Sequence, residues 1–270
     1  MITKLKDLML GAYRWRYYLL HRLVPGKPPE FNLAYLPDGL TVRKVGETGV
    51  SIVENFCTAE EAAEIIRLAE PNLTPARIFR DGKAIDHPRR RCDTTTVFGA
   101  DHPNGKLLPI ACRAAALTGL PYTHMEGVVV TRYCEGHFYE EHVDFGKGLA
   151  VDRVYTVLVY LNDLAPEQGG TTEFPKLNLE VAPKLGRAVC WTNLNPDGSS
   201  HPETRHAAMP VRDGGEKWVI QFWFRRYKMF SNFKFNPPQA KPGSPVNADT
   251  QMPQGASYLA MATEPEPSSE

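Results

Sequence analysis

The stretch HFYEEHVDF, residues 137–145, packs two histidines, two glutamates and an aspartate into nine positions. If this segment is a strand, His142 and Asp144 lie two apart and project from one face. An imidazole and a carboxylate side by side supply two neighbouring ligands for a divalent cation. The competing reading is a solvated hairpin with Glu140 and Glu141 on its wet side.

A third ligand has to come from a distant segment, and two histidines compete for it. His201 sits between NPDGSS and Pro202 and reads as a loop residue, whereas His206 enters HAAMPV, which a strand can use. Two imidazoles and one carboxylate leave coordination positions open on one side, the donor set of non-haem Fe(II) oxygenases. Cys134 and His137 imitate part of a zinc site, but no second CxxC or HxxxH element completes one. Lys217 opens KWVIQFWF, in which Lys217, Val219, Gln221 and Trp223 share one face and Trp218, Ile220, Phe222 and Phe224 the other. Both faces are largely apolar, so the strand reads as buried on both sides. A buried ammonium there demands a negative partner; alternatively the lysine head reaches solvent at the strand end.

The elements that must position these residues follow from patterning. TVRKVGETGVSIVENF alternates around turn glycines and reads as two short strands. TAEEAAEIIRLAEP is a helix with Thr58 and Glu61 spaced as a capping box, a buried side of Ile65, Ile66 and Leu68, and Pro71 as terminator. GKLLPIACRAAALTGLP reads as a second helix, crossed by Pro109 and closed near Gly119. From Met125 onward EGVVVTRY, RVYTVLVYLN, GRAVCWTN and KWVIQFWFRRY are β-branched or aromatic runs separated by turns. Helices first and strands afterwards predict an α+β fold, a sheet core with helices on one face, which a double-layered jelly roll would close.

The chain has 270 residues, with 31 Lys and Arg against 31 Asp and Glu. Its zero formal charge gives no reason to expect a nucleic-acid partner. Five scattered cysteines (57, 92, 112, 134 and 190) fit free thiols and a reducing, cytoplasmic setting. Residues 1–40 form a basic amphipathic segment and linker with no apolar run long enough to span a bilayer and no secretory cleavage pattern. Its helix would pack on the domain, the alternatives being membrane-surface contact or a mitochondrial-type presequence. Residues 41–236 are expected to form one domain, helical support over about 41–124 and a jelly-roll core over about 125–236. Residues 237–270 are rich in Pro, Ser, Gly and Gln and read as a disordered tail.

RYCEGHFYEEHVDF resembles the RYxxGxxYxxHxD element of 2-oxoglutarate- and Fe(II)-dependent dioxygenases of the prolyl 4-hydroxylase type. RVYTVLVYLNDLAPEQGGTTEFP and HAAMPVRDGGEKWVIQFWFR are similar to that family's next two blocks, in order, and IVENFCTAEEAAEIIRLAEP and LTGLP to its helical part. The resemblance covers roughly residues 50 to 227. It implies a double-stranded β-helix (jelly-roll, cupin-like) core with supporting N-terminal helices. It also implies Fe(II) on His142, Asp144 and His206, and 2-oxoglutarate with its distal carboxylate on Lys217 and Tyr133. Tyr139 and Arg153 match positions facing a peptide groove; packed aromatic and surface salt bridge are their bland alternatives. The activity implied is hydroxylation of an unactivated carbon, prolyl 4-hydroxylation of a peptide or protein by O2, with succinate and carbon dioxide as co-products and ascorbate as accessory reductant. A free amino acid or other small molecule as substrate, or a non-catalytic jelly-roll binding module, are the alternatives.

Overall fold

Alternating side chains and turn glycines build a sheet-dominated molecule in the computed structural model. It describes residues 39–80, 83–86, 88–98, 107–120, 124–145, 153–195 and 199–226. The expectations for the basic N-terminal helix and the Pro-rich tail fall on residues outside these. The chain runs through β1 (Thr41–Lys44), β2 (Val50–Glu54), α1 (Ala59–Ala69), β3 (Thr74–Pro75), β4 (Arg77–Arg80), β5 (Lys83–Asp86), β6 (Arg90–Arg91) and β7 (Asp93–Phe98). It continues through α2 (Leu108–Thr118), β8 (Val128–Tyr133), β9 (Phe138–His142), β10 (Arg153–Tyr160), β11 (Thr172–Phe174), β12 (Leu179–Val181), β13 (Ala188–Thr192), β14 (His206–Ala208) and β15 (Lys217–Arg225).

An eight-stranded sheet has the order β1-β2-β13-β10-β15-β8-β7-β3, and a five-stranded sheet the order β12-β11-β14-β9-β6. Pairing within both is antiparallel. β4 and β5 form a separate ribbon. This is the double-stranded β-helix architecture, with an α+β class set by the two supporting helices.

Two apolar clusters lie on opposite faces of the large sheet, and β15 feeds both. Trp218, Ile220, Phe222 and Phe224 join Ile65 of α1 and Ile110, Ala114 and Leu117 of α2. Val219 faces the other way, into a cluster with Tyr133, Leu158, Tyr160, Phe174, Val181 and Trp191 from both sheets. The expected two-sided burial of β15 is therefore observed.

Several local details differ from the sequence reading. In α1 the fully buried positions are Ala62, Ile65 and Ala69, while Ile66 and Leu68 are half-buried. Pro109 stands in the first turn of α2, where a missing N–H costs nothing, instead of crossing the helix. Within the expected helical support over 41–124, β1 and β2 are the two short strands read from the sequence, whereas β3 to β7 are unexpected. No helix among the described residues is long and apolar enough to cross a membrane.

The cap of α1 is as expected from Thr58 and Glu61. Glu61 N–H donates to Thr58 Oγ1 at 3.2 Å and Thr58 N–H to a Glu61 carboxylate oxygen at 3.0 Å. Thr58→Ala should lower unfolding free energy by about 1 kcal/mol in urea titrations; an unchanged midpoint would show that the cap contributes nothing.

Candidate metal and co-substrate site

His142 and His206 are register partners across the β9–β14 pair, and their ring centroids lie 4.2 Å apart. Asp144 lies just past the end of β9, in a bend and not on the strand itself. One ligand atom from each of the three lies within 4.8 Å of the others. Asp144 Oδ1 is 3.7 Å from His142 Nε2 and 4.0 Å from His206 Nε2. His201 opens a single 3-10 turn elsewhere and takes no part.

Each donor is aimed by a second interaction. His142 Nδ1 lies 2.8 Å from the Glu140 carbonyl and His206 Nδ1 3.0 Å from that of Thr204. A carbonyl can only accept, so Nδ1 carries the proton in both rings and Nε2 keeps its lone pair. Asp144 Oδ2 accepts from Thr156 Oγ1 at 2.7 Å and from Trp223 Nε1 at 3.0 Å, which leaves Oδ1 turned to the imidazoles. Thr156 in turn accepts from Asn193 Nδ2 at 3.0 Å, and Asn193 Oδ1 accepts from Trp191 Nε1 at 3.0 Å. Thr156 pairs with Trp223 on one side and Trp191 on the other, so one row across β15, β10 and β13 supports the group from the large sheet.

The electrostatics suit a cation. Burial raises the Asp144 pKa, but His206, His142, Arg153 and the Thr156 hydroxyl outweigh it and hold the carboxyl below its usual range. Burial, with His206 beside it, pushes His142 down, so its ring is neutral near pH 7. His206 Nε2 is buried with no hydrogen-bond partner. An unsatisfied buried lone pair is costly, and a divalent cation facing it would remove that cost. The donor set therefore fits a metal such as Fe(II).

Lys217 lies on β15 opposite Tyr133 of β8. It is 1% exposed, its Nζ donates to the Gly170 carbonyl at 2.7 Å, and it sits 4.4 Å from the centroid of the Tyr133 ring. Gly170 has φ +68°, and a Cβ there would meet Leu164 at 2.8 Å, so the carbonyl position depends on glycine. Among the described residues Lys217 forms no ion pair, and burial lowers its pKa to about 7. The buried ammonium lacks an anion, which a dianionic co-substrate would supply.

Tyr139 stacks on His142 with ring centroids 3.6 Å apart, and its other contact is the Arg90 guanidinium, 4.8 Å from the ring centroid. Arg153 makes a two-point pair with Glu126 at 2.8 and 2.9 Å and lies 4.0 Å from the Trp223 ring centroid. The pair is a half-buried salt bridge. Sequence reasoning missed Thr156, Asn193 and Arg90; the one available signal was a lone threonine inside the apolar run RVYTVLVY. All five cysteines are free.

Residues 128–225 match the model of the 2OG-Fe(II) oxygenase superfamily. The chain is 30% identical over 205 residues to "Probable prolyl 4-hydroxylase 10" of Arabidopsis thaliana, covering 66% of this chain and 69% of that protein. It is 35% identical over 175 residues to "Prolyl 4-hydroxylase subunit alpha-1" of Gallus gallus, covering 61% of this chain. The chain spans only 33% of the length of that second relative. Among solved structures, the viral collagen prolyl hydroxylase of Paramecium Bursaria Chlorella virus-1, in its 2OG complex, superposes with a TM-score of 0.52 at 25% identity. That match covers 66% of this chain and 96% of the viral one. The fold and the donor set define an Fe(II)- and 2-oxoglutarate-dependent oxygenase. Within that class, the chain belongs to the prolyl 4-hydroxylase family.

Replacing the indole N–H that orients Asp144 should weaken metal binding. Trp223→Phe is expected to reduce Mn(II) affinity about tenfold, the lower end for lost outer-sphere partners. Isothermal titration checks this, and an unchanged affinity would assign Trp223 to packing alone.

Proposed function

We propose that the chain is an Fe(II)- and 2-oxoglutarate-dependent dioxygenase that hydroxylates proline, at the 4-position, in a peptide or protein. The observation that carries the reading is a pairing of unmet needs in one interior. His142, Asp144 and His206 present free donor atoms, and Lys217 presents a buried ammonium with no anion.

In this reading His142 and His206 hold Fe(II) through Nε2 and Asp144 through Oδ1. Lys217 receives the distal carboxylate of 2-oxoglutarate, and the Tyr133 hydroxyl adds a hydrogen bond to it. Bound iron with 2-oxoglutarate and O2 supplies the oxidation of an unactivated C–H bond, with succinate and carbon dioxide as co-products. Ascorbate serves as accessory reductant. The apolar walls from Leu158, Phe174, Trp191 and Val219 keep water from the interior, which strengthens the Lys217–carboxylate attraction. Because Lys217, His142 and His206 project from paired strands and Asp144 is tied to the large sheet by Thr156 and Trp223, their separation is set by the sheets. Tyr139 and Arg153 line the substrate groove. Tyr139 covers one face of His142, and Arg153 is held by Glu126 with its planar head against Trp223, the residue that bonds Asp144. The groove therefore borders the metal ligands directly, and its occupant's proline is brought to them by proximity.

Incubation with Fe(II), 2-oxoglutarate, O2 and a panel of proline-containing peptides should yield succinate and a product heavier by one oxygen atom. Free proline should not replace the peptide, and His142→Ala should give no product. Full turnover by that variant would remove the site. Lys217→Ala should raise the KM for 2-oxoglutarate about 100-fold, the scale for a lost buried charge pair.

The pH dependence has a defined sign. The free enzyme's Lys217 has a pKa lowered to about 7 by burial, and only its protonated form attracts a carboxylate. Affinity for 2-oxoglutarate should be full below that value and fall as pH rises above it, by up to about tenfold per unit. A Kd flat from mildly acidic to mildly alkaline pH would contradict the assignment of Lys217.

A further inference from the structure

A second group of ligand-type side chains converges outside the site described above. Asp93 at the start of β7, with Cys134 and His137 in the turn after β8, brings a carboxylate, a thiol and an imidazole within 4.8 Å of one another. The turn is a built feature. His137 N–H donates to the Cys134 carbonyl at 2.8 Å, and Gly136 between them takes φ +74°. Gly136 N–H donates to the Val211 carbonyl and Val211 N–H to that of His137, which fastens the turn to the segment leading into β15.

The two other donors are similarly fixed. Asp93 and Arg132 are register partners. Arg132 donates to Asp93 Oδ2 at 2.9 and 3.3 Å, leaving Oδ1 available. His137 Nδ1 is buried with no hydrogen-bond partner among the described residues, as His206 Nε2 is. Glu216 brings a fourth donor, with Oε2 3.9 Å from Cys134 Sγ.

We propose that Asp93, Cys134 and His137, with Glu216 as fourth ligand, form a second metal site that takes Zn2+. A set of one sulfur, one nitrogen and two oxygens suits a borderline-soft, tetrahedral cation. The charges also favour a cation: a thiolate and two carboxylates contribute −3, against +2 from Arg132, paired with both acids, and Arg91 beside the turn, which leaves −1 before the metal binds. Metal–ligand lengths of about 2.0–2.3 Å put tetrahedral ligand atoms about 3.5 Å apart. Closing the group that far draws in Glu216, whose Oε1 accepts from Trp218 Nε1 at 2.6 Å and whose Oε2 is the atom nearer Cys134. Cys134 follows Tyr133 and Glu216 precedes Lys217, and Tyr133 and Lys217 are register partners. Zinc would thus clamp β7, β8 and β15 at the strand ends that carry the residues proposed for 2-oxoglutarate. The zinc site itself does not depend on that assignment.

The test uses the full chain and metal alone. The wild-type protein should bind two equivalents of Zn2+, one at each site, and Cys134→Ser only one. Co(II) as a spectroscopic probe should give a thiolate-to-metal charge-transfer band in the wild type that Cys134→Ser abolishes. The variant His142→Ala/Asp144→Ala/His206→Ala should retain one equivalent of zinc and the cobalt band, and zinc should raise its melting temperature. Equal zinc stoichiometry in the wild type and Cys134→Ser, or a cobalt band that survives Cys134→Ser, would overturn the proposal, and both readings hold even where the triple variant does not fold.

Discussion

Asp144 is an ionised carboxylate enclosed between two β-sheets, and the rest of the interior is arranged around that fact. Burying a lone anion costs several kcal/mol, so the charge must be met by donors on one side and a cation on the other. Thr156 and Trp223 meet one oxygen from the large sheet. The second oxygen faces two imidazoles whose Nδ1 atoms are already committed to backbone carbonyls. Among the described residues nothing remains to satisfy that side, and a divalent ion is the species that would.

Lys217 poses the opposite problem on the large sheet. Its ammonium has a carbonyl and an aromatic face but no carboxylate, and burial lowers its pKa toward neutrality. A cation-demanding group and an anion-demanding group on the inner surfaces of one barrel are complementary to a metal chelated by a small dianion. The large sheet links them: the inner face of β15 carries Lys217 at one end and Trp223 near the other. Lys217 and the indole that orients Asp144 thus share a strand, and the Arg153 guanidinium lies against that indole.

Much of this was legible in the sequence because its signals are local. The HxD spacing marks His142 and Asp144, and the alternation in KWVIQFWF puts Lys217 on one face of a strand buried on both sides, with its head either inside or at solvent. The choice of His206 over His201 was not local. It depends on β14 pairing with β9, and only the family resemblance pointed to it in advance. The strands between residues 74 and 98 escaped because they are two to six residues long and rich in charge, which is typical of edge strands and blurs alternation. Asp93 escaped for the same reason: in RRRCDTTTVF nothing distinguishes it, and its proximity to Cys134 and His137 arises from the β7–β8 pairing. Side chains that act by orienting others, Thr156 and Asn193 above all, leave only a polar letter in an apolar run.

The most direct test of the central claim is anaerobic titration of the protein with Fe(II) and 2-oxoglutarate, followed by visible absorption. Three side chains converging on one ferrous ion, with the co-substrate chelated beside Lys217, predict a metal-to-ligand charge-transfer band that saturates at one iron per chain and vanishes in Asp144→Ala. A wild-type protein that gives no such band, or an Asp144→Ala variant that gives it undiminished, would contradict the account.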